Sequence, residues 1–180
     1  AFPKCDHVFE DRYTTQAIHH VAIEPHVAIA DYDRNGKLTV YSPCQNTFAF
    51  RVIMSRIFGL PFNKIRMVSP AIGGAFGGKL EVTVEPVAAV LSQMAGRPVK
   101  VEYSRKECIL STRVRHASVC YIKTGFMEDG TIKAVDFKVY TNTGAYASSA
   151  LNVSGAMSHK VFKAYKIPDM RFHCNPVYTN

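Results

Sequence analysis

No Cys-x-x-Cys pair occurs in this chain, although it holds five cysteines, at Cys5, Cys44, Cys108, Cys120 and Cys174. An odd, widely spaced set argues against a zinc ribbon and against a disulfide framework; reduced thiols in a cytoplasmic protein are the simplest expectation. No run of Lys or Arg exceeds two residues, so the excess of 22 basic over 14 acidic residues, a net charge of +8, is scattered. Scattered charge without interleaved aromatics argues against a nucleic-acid stripe. A basic balance still suits an anionic ligand or an acidic neighbouring subunit. No apolar run reaches the roughly 20 residues of a membrane span. The opening Ala1-Phe-Pro-Lys-Cys-Asp-His7 is not a signal peptide. No His-x-x-x-His stands on a helical pattern, so the seven histidines, including His19, His20 and His26, read as packing or surface residues. Internal repeats of fixed period, low-complexity tracts and linkers are also lacking.

What is present suffices for a core. The apolar fraction is 47% and the charged fraction 20%, in 180 residues that suit one domain or two small ones. The densest local signal is Ser69-Pro-Ala-Ile-Gly-Gly-Ala-Phe-Gly-Gly-Lys79, with four glycines in six positions around Phe76. Such a cluster implies a sharp turn or a close approach of the backbone. An apolar run, Ile65 to Val68, enters it and a helical pattern from about Val84 to Ala95 leaves it. A strand, a glycine loop and a helix in that order present free backbone N–H groups to an anion or an oxo group. Leu80 after Lys79 breaks the phosphate-binding Gly-x-x-x-x-Gly-Lys-Ser/Thr pattern, and Ala75 breaks Gly-x-Gly-x-x-Gly. A tight strand-to-helix turn is the plainer alternative.

Residues 1–15 read as polar and irregular. Residues 17–24 and 26–32 are rich in β-branched side chains and read as strands, with Pro25 between them. Glu24, at the end of the first run, is either a catalytic carboxylate or a paired structural acid. Asp33-Arg-Asn-Gly36 is a hairpin turn into a strand at 37–41. Asn46 caps a helix over 47–58, which Gly59 and Pro61 end. Strands at 63–68 and 99–103, helices at about 83–95 and 105–111, and a long hairpin of 118–126 with 131–141 follow. A weak helix over 150–161 and a last strand at 170–174 complete the series. The pattern is α+β: mixed sheets with packed helices and long β-hairpins. A sub-boundary falls near 104–115 within a single domain of 1–180.

Six segments then recur in one order. They are Tyr41-Ser-Pro-Cys-Gln45-Asn46, Phe58-Gly-Leu-Pro61, Gly73-Gly-Ala-Phe-Gly-Gly-Lys79, Gly96-Arg-Pro-Val99, Thr124-Gly-Phe126 with Asp129-Gly-Thr131, and Tyr165-Lys-Ile-Pro168. Together they resemble the molybdenum-binding subunit of the xanthine dehydrogenase and aldehyde oxidase family, over about residues 15–180. The resemblance implies a molybdenum hydroxylase that carries molybdopterin, alone or in its cytosine dinucleotide form. Such an enzyme oxidises an N-heterocycle or an aldehyde with water as the oxygen source. It also implies 2Fe-2S clusters and FAD on partner domains or subunits, hence a hetero-oligomer in the cytoplasm with a small-molecule substrate and neither nucleic acid nor membrane.

Residue by residue, Gln45 falls on the family's glutamine, whose amide points at a molybdenum ligand; a neutral amide offers N–H to an oxo group without adding charge. Phe76 falls on the aromatic whose backbone N–H faces the oxo ligand and whose ring walls the substrate channel. Gly74, Ala75 and Gly77 complete the cofactor-binding loop, with Gly77 meeting the pterin through its N–H. Gln45 and Phe76 are thus second-sphere contacts of the metal. Two places depart from the purine-hydroxylating pattern. Leu80 stands where those relatives carry a glutamate, and Ala156, by ungapped counting from Tyr165, where they carry an arginine. Glu81 compensates only in a shifted register. Lost polar anchors argue against purine specificity and leave Phe76 and Leu80 as the expected substrate-pocket residues. The family's general-base glutamate is expected beyond residue 180, so no catalytic residue is assignable here, and the chain is expected to be a fragment or a split piece, inactive alone. The alternative is a non-catalytic binding or assembly module that keeps the fold without the cofactor.

Overall fold

The computed structural model describes residues 1–179, without the side chains of residues 161 and 162. Its elements in chain order are β1 (His7–Thr15), β2 (Ile18–His19), β3 (Val27–Tyr32), β4 (Leu38–Tyr41), α1 (Thr47–Phe58), β5 (Ile65–Val68), α2 (Glu85–Ala95), β6 (Val99–Glu102), α3 (Arg105–Ser111), β7 (Val114–Arg115), β8 (Ser118–Phe126), β9 (Ile132–Asn142), α4 (Ala150–Val161) and β10 (Asp169–Val177). Two compact units share these elements: His19–Val114 form one, and Ala1–Ile18 with the chain from Arg115 onward form the other.

In the 19–114 unit, strand alternation selects the buried face. Ala28 and Ala30 on β3 and Leu38 and Val40 on β4 point to one side and are fully buried. The sheet runs β5-β4-β3-β6; β4 pairs parallel with β5, and β3 pairs antiparallel with β4 and β6. Met54 from α1 and Ala88 and Ala89 from α2 close over the same face in one cluster with Ile65 and Val84. Small residues on β3 and α2 let helix and sheet approach closely. The helix signals act as expected: Asn46 Oδ1 accepts from Ala49 N at 3.0 Å, and Ser104 with Glu107 forms a capping box on α3. The Asp33 carboxylate holds the β3–β4 turn by accepting from Asn35 N at 2.8 Å and Lys37 N at 2.9 Å.

The other unit is a four-stranded sheet in the order β1-β8-β9-β10, antiparallel except for β9 with β10. Val135, Phe137 and Val139 of β9 form its core, with Met157 of α4 and Phe172 and Cys174 of β10 packed against them. Pro176 is tolerated because β10 is an edge strand.

Two sequence expectations fail. The stretch 1–15 is not irregular: residues 7–15 pair with β8 from His7↔Phe126 to Thr15↔Ser118. Every residue of β1 is exposed, so no alternating pattern marks it, and its strand form comes from a ladder with residues more than 100 positions away. The stretch 17–24 is not a strand beyond Ile18–His19. Val21 sits at φ 47, a turned conformation unfavourable for a β-branched residue, and donates its N–H to His19 Nδ1 at 3.0 Å. The last strand is also longer than expected, reaching Val177.

The helices and mixed sheets otherwise match the α+β expectation. Among the described residues no helix is long and apolar enough to cross a membrane.

Candidate functional site

Gln45 lies in the turn between β4 and α1, fixed on both sides. Upstream, Ser42 N donates to Val68 O at 3.0 Å and Cys44 N to Ser42 O at 2.8 Å; downstream, Asn46 caps α1. The Ser42 hydroxyl donates at 2.5 Å to the buried carboxylate of Glu85, which also accepts from Thr83 N at 2.7 Å, tying the turn to the start of α2. Burial and the charge of Glu85 push the Cys44 thiol up, keeping it protonated and unreactive.

From that turn Gln45 grips the glycine loop. Its own N–H donates to Lys79 O at 2.9 Å. Its side-chain Oε1 accepts from Gly77 N at 3.1 Å and from Lys79 N at 3.2 Å. Only the oxygen of a carboxamide can accept two N–H groups, so these bonds set the orientation of the amide. The Nε2 group, with two N–H donors, makes no hydrogen bond among the described residues, and the side chain is exposed. The backbone thus turns the donor end of Gln45 outward.

The loop is anchored at its other end by Glu24. One carboxylate oxygen, Oε2, accepts from Lys79 Nζ at 2.6 Å and from Gly73 N at 2.9 Å, while Glu24 N donates to Gly73 O at 3.1 Å. Lys79 is only 3% exposed, so this pairing is a condition of its burial. Glu24 is therefore the paired structural acid of the two alternatives. Gly73 has no room for a side chain, since a Cβ there would stand 2.7 Å from Glu24 Cβ. Gly77 sits at φ 97, with the His20 ring behind it. His26, also buried, bonds through Nε2 to Gly78 O at 3.2 Å, and burial lowers its pKa.

These contacts correct one expectation from sequence. The N–H groups of Gly73, Gly77, Gly78 and Lys79 are not free for a ligand: they donate to Glu24, Gln45, Ala75 O and Gln45 in turn. Ala75 is buried, whereas Phe76 is held at φ 54 and the residue is 63% exposed. An aromatic residue in that left-handed region costs about 1–2 kcal/mol, which the bonds on either side of it maintain. Leu80 is 41% exposed. Glu81, the nearest carboxylate that could replace a glutamate at position 80, is ion-paired to Arg113. Gly74, Ala75, Phe76, Gly77 and Leu80 thus lie in the one loop that the Gln45 amide grips from the β4–α1 turn, and all belong to the 19–114 unit. Ala156 lies on α4, in the other unit. Among the described residues no three His, Cys, Asp or Glu side chains are arranged to hold a metal ion. Sequence reasoning missed Lys79 and His20 as parts of the loop's support. The only signals were a lysine inside an apolar glycine stretch and a histidine pair with no pattern of its own.

The model of the molybdopterin cofactor-binding domain matches residues 1–180. This chain belongs to that family. Among curated relatives, this molybdopterin-binding domain is 36% identical to the large molybdopterin subunit of nicotinate dehydrogenase from Eubacterium barkeri, over 100% of the chain and 42% of the relative. It is 34% identical to the molybdenum-binding subunit of xanthine dehydrogenase from Escherichia coli O157:H7, over 97% of the chain and 23% of the relative. Among solved structures, the aldehyde oxidoreductase of Desulfovibrio gigas superimposes with a TM-score of 0.87 at 26% identity, covering 99% of the chain and 20% of that protein. The domain therefore spans less than half the length of each, and the resemblance noted in its motifs holds across the whole sequence.

Proposed function

We propose that this chain supplies one wall of the molybdenum-cofactor site in a molybdenum hydroxylase. The observation that carries the reading is the orientation of Gln45: its oxygen is consumed by two loop N–H groups, so a neutral N–H donor faces outward beside Phe76 and Gly77. The residues fit such a cofactor. A donor without charge suits an oxo group, and a glycine at position 77, at φ 97, puts no side chain beside it, its own N–H being committed to Gln45. When bound, molybdopterin in either its simple or cytosine dinucleotide form supplies two-electron oxidation of an electron-poor carbon, with water as the oxygen source.

The protein's part is to place groups around that chemistry. Gln45 donates a hydrogen bond toward the metal's ligands. Gly74, Ala75 and Gly77 carry the loop past the cofactor. Phe76 contributes its main chain to the metal's surroundings and its ring to the wall of the substrate channel, and Leu80 adds an apolar contact. With Glu81 committed to Arg113, the pocket offers the substrate no carboxylate from this loop. That favours an aldehyde or an N-heterocycle other than a purine. The general base, the 2Fe-2S clusters, the FAD and the rest of the molybdenum subunit come from elsewhere in a hetero-oligomer, so the domain alone is inactive.

The test is the molybdenum and pterin content of the native complex, followed by turnover on a panel of aldehydes and N-heterocycles. Near-stoichiometric metal with turnover supports the reading. An intact complex free of metal and pterin replaces it with a non-catalytic assembly module.

A further inference from the structure

We infer that Glu24 and Lys79 are positioning residues that set the direction of the Gln45 amide. Neither is exposed toward the outer side of the loop as Phe76 is, and the chemistry proposed above uses neither. Their geometry nevertheless connects to it in four bonds. Lys79 is the residue whose N–H and C=O both bond to Gln45, at 3.2 Å and 2.9 Å. Its side chain turns inward to Glu24 at 2.6 Å, and the same carboxylate oxygen takes the N–H of Gly73 at 2.9 Å. One carboxylate thus ties together the first and last residues of the Gly73–Lys79 loop. Gly77 and Phe76, both at positive φ, lie between those two ties.

The charge is required for this. The ammonium group of Lys79 has almost no access to water, so withdrawal from Glu24 would leave a buried cation without a partner. The side chain therefore cannot swing out without moving its own backbone. That backbone sets the N–H that, with Gly77 N–H, holds Gln45 Oε1. Loss of the ion pair lets the loop relax, the Gln45 carboxamide lose its fixed sense, and the outward N–H lose its aim. A neutral amide at position 24 keeps an acceptor for both contacts but leaves the buried Lys79 cation without a countercharge, so it loosens the loop as well.

This inference rests on the cofactor reading for its consequence but not for its geometry, and the experiment separates the two. In the complete enzyme, Lys79→Met removes the cation at similar length. It leaves a Glu24 carboxylate that is 28% exposed and open to water. Hydrogen–deuterium exchange of the peptide over 73–79 should rise by about tenfold or more, while exchange in β3 and β4 stays as in the parent. In metal-loaded enzyme the same variant should lower kcat with KM little changed and shift the electron paramagnetic resonance spectrum of the partly reduced metal. Glu24→Gln, which keeps the acceptor oxygen but removes the countercharge of the buried Lys79, should move all three readouts in the same direction as Lys79→Met. Parent-like exchange over 73–79 in Lys79→Met, or a rise shared equally by β3 and β4, overturns the positioning role. A complex that lacks metal and pterin overturns the cofactor reading instead, and the exchange result then still decides the clamp.

Discussion

Replacing Gln45 by glutamate separates the two jobs that the structure gives this side chain. The substitution is nearly isosteric. The carboxylate can still accept from Gly77 N and Lys79 N, now at 3.1 and 3.2 Å from Gln45 Oε1, and charge-assisted bonds of this type are stronger than neutral ones. The loop should therefore be held as well as in the parent. What disappears is the Nε2 donor, replaced by an oxygen with negative charge. Removing one preorganised donor from a developing negative charge costs about 10²–10³ in kcat. Gln45→Glu in the assembled enzyme should thus lose at least about 10²-fold in kcat, with parent-like exchange over 73–79. Gln45→Ala behaves differently. It leaves two loop N–H groups without their acceptor, about 1–3 kcal/mol each where they are screened from water, so exchange over 73–79 rises as kcat falls. Both should slow turnover more than they lower bound metal. The assay is steady-state turnover normalised to molybdenum content, paired with exchange on the same samples. Parent-like kcat in Gln45→Glu would refute the donor role and reduce Gln45 to a brace for the loop.

Three other outcomes follow from the same geometry. Leu80→Glu places a carboxylate in the loop that is not committed to Arg113, so preference across a substrate panel should move toward purine-like rings; an unchanged ranking counts against Leu80 lining the pocket. Gly73→Ala forces a Cβ to within 2.7 Å of Glu24 Cβ, so the loop must shift, and exchange over 73–79 should rise while the β3–β4 hairpin is unaffected. His26 has a pKa lowered from its ordinary 6.5 by burial, so the folded protein favours the neutral ring and the unfolded chain binds the extra proton first. Stability should be full above about 6.5, fall as pH drops from there toward the lowered value, and then level off; chemical unfolding at stepped pH measures this, and His26→Gln should flatten the profile.

Much of the fold was legible because its signals are local. The helix over 47–58 has its Asn46 cap and its Gly59 stop adjacent in the chain, and the helix at 105–111 carries Ser104 and Glu107 three residues apart. The β3–β4 and β8–β9 hairpins follow from turn residues next to alternating strands. β1 escaped because an edge strand exposed on both faces has no alternation to read. The stretch 17–24 misled in the opposite direction: its β-branched residues favour strand, but Ala22, Glu24 and His20 are used as the floor of the glycine loop.

The candidate site divides along the same line. The residues Gln45 and Phe76 and the ordered motifs around them were enough, by themselves, to determine the family and the type of loop, because those depend on residue identity and order along the chain. The direction of the Gln45 amide, the commitment of the loop N–H groups, the Lys79–Glu24 pair and the loss of Glu81 to Arg113 were decided only by tertiary structure. Apart from the short Gly78–Ala75 turn bond, each joins residues between 32 and 55 positions apart. A hydrogen bond's sense is set by which donor and which acceptor meet in space, and no local pattern specifies that meeting.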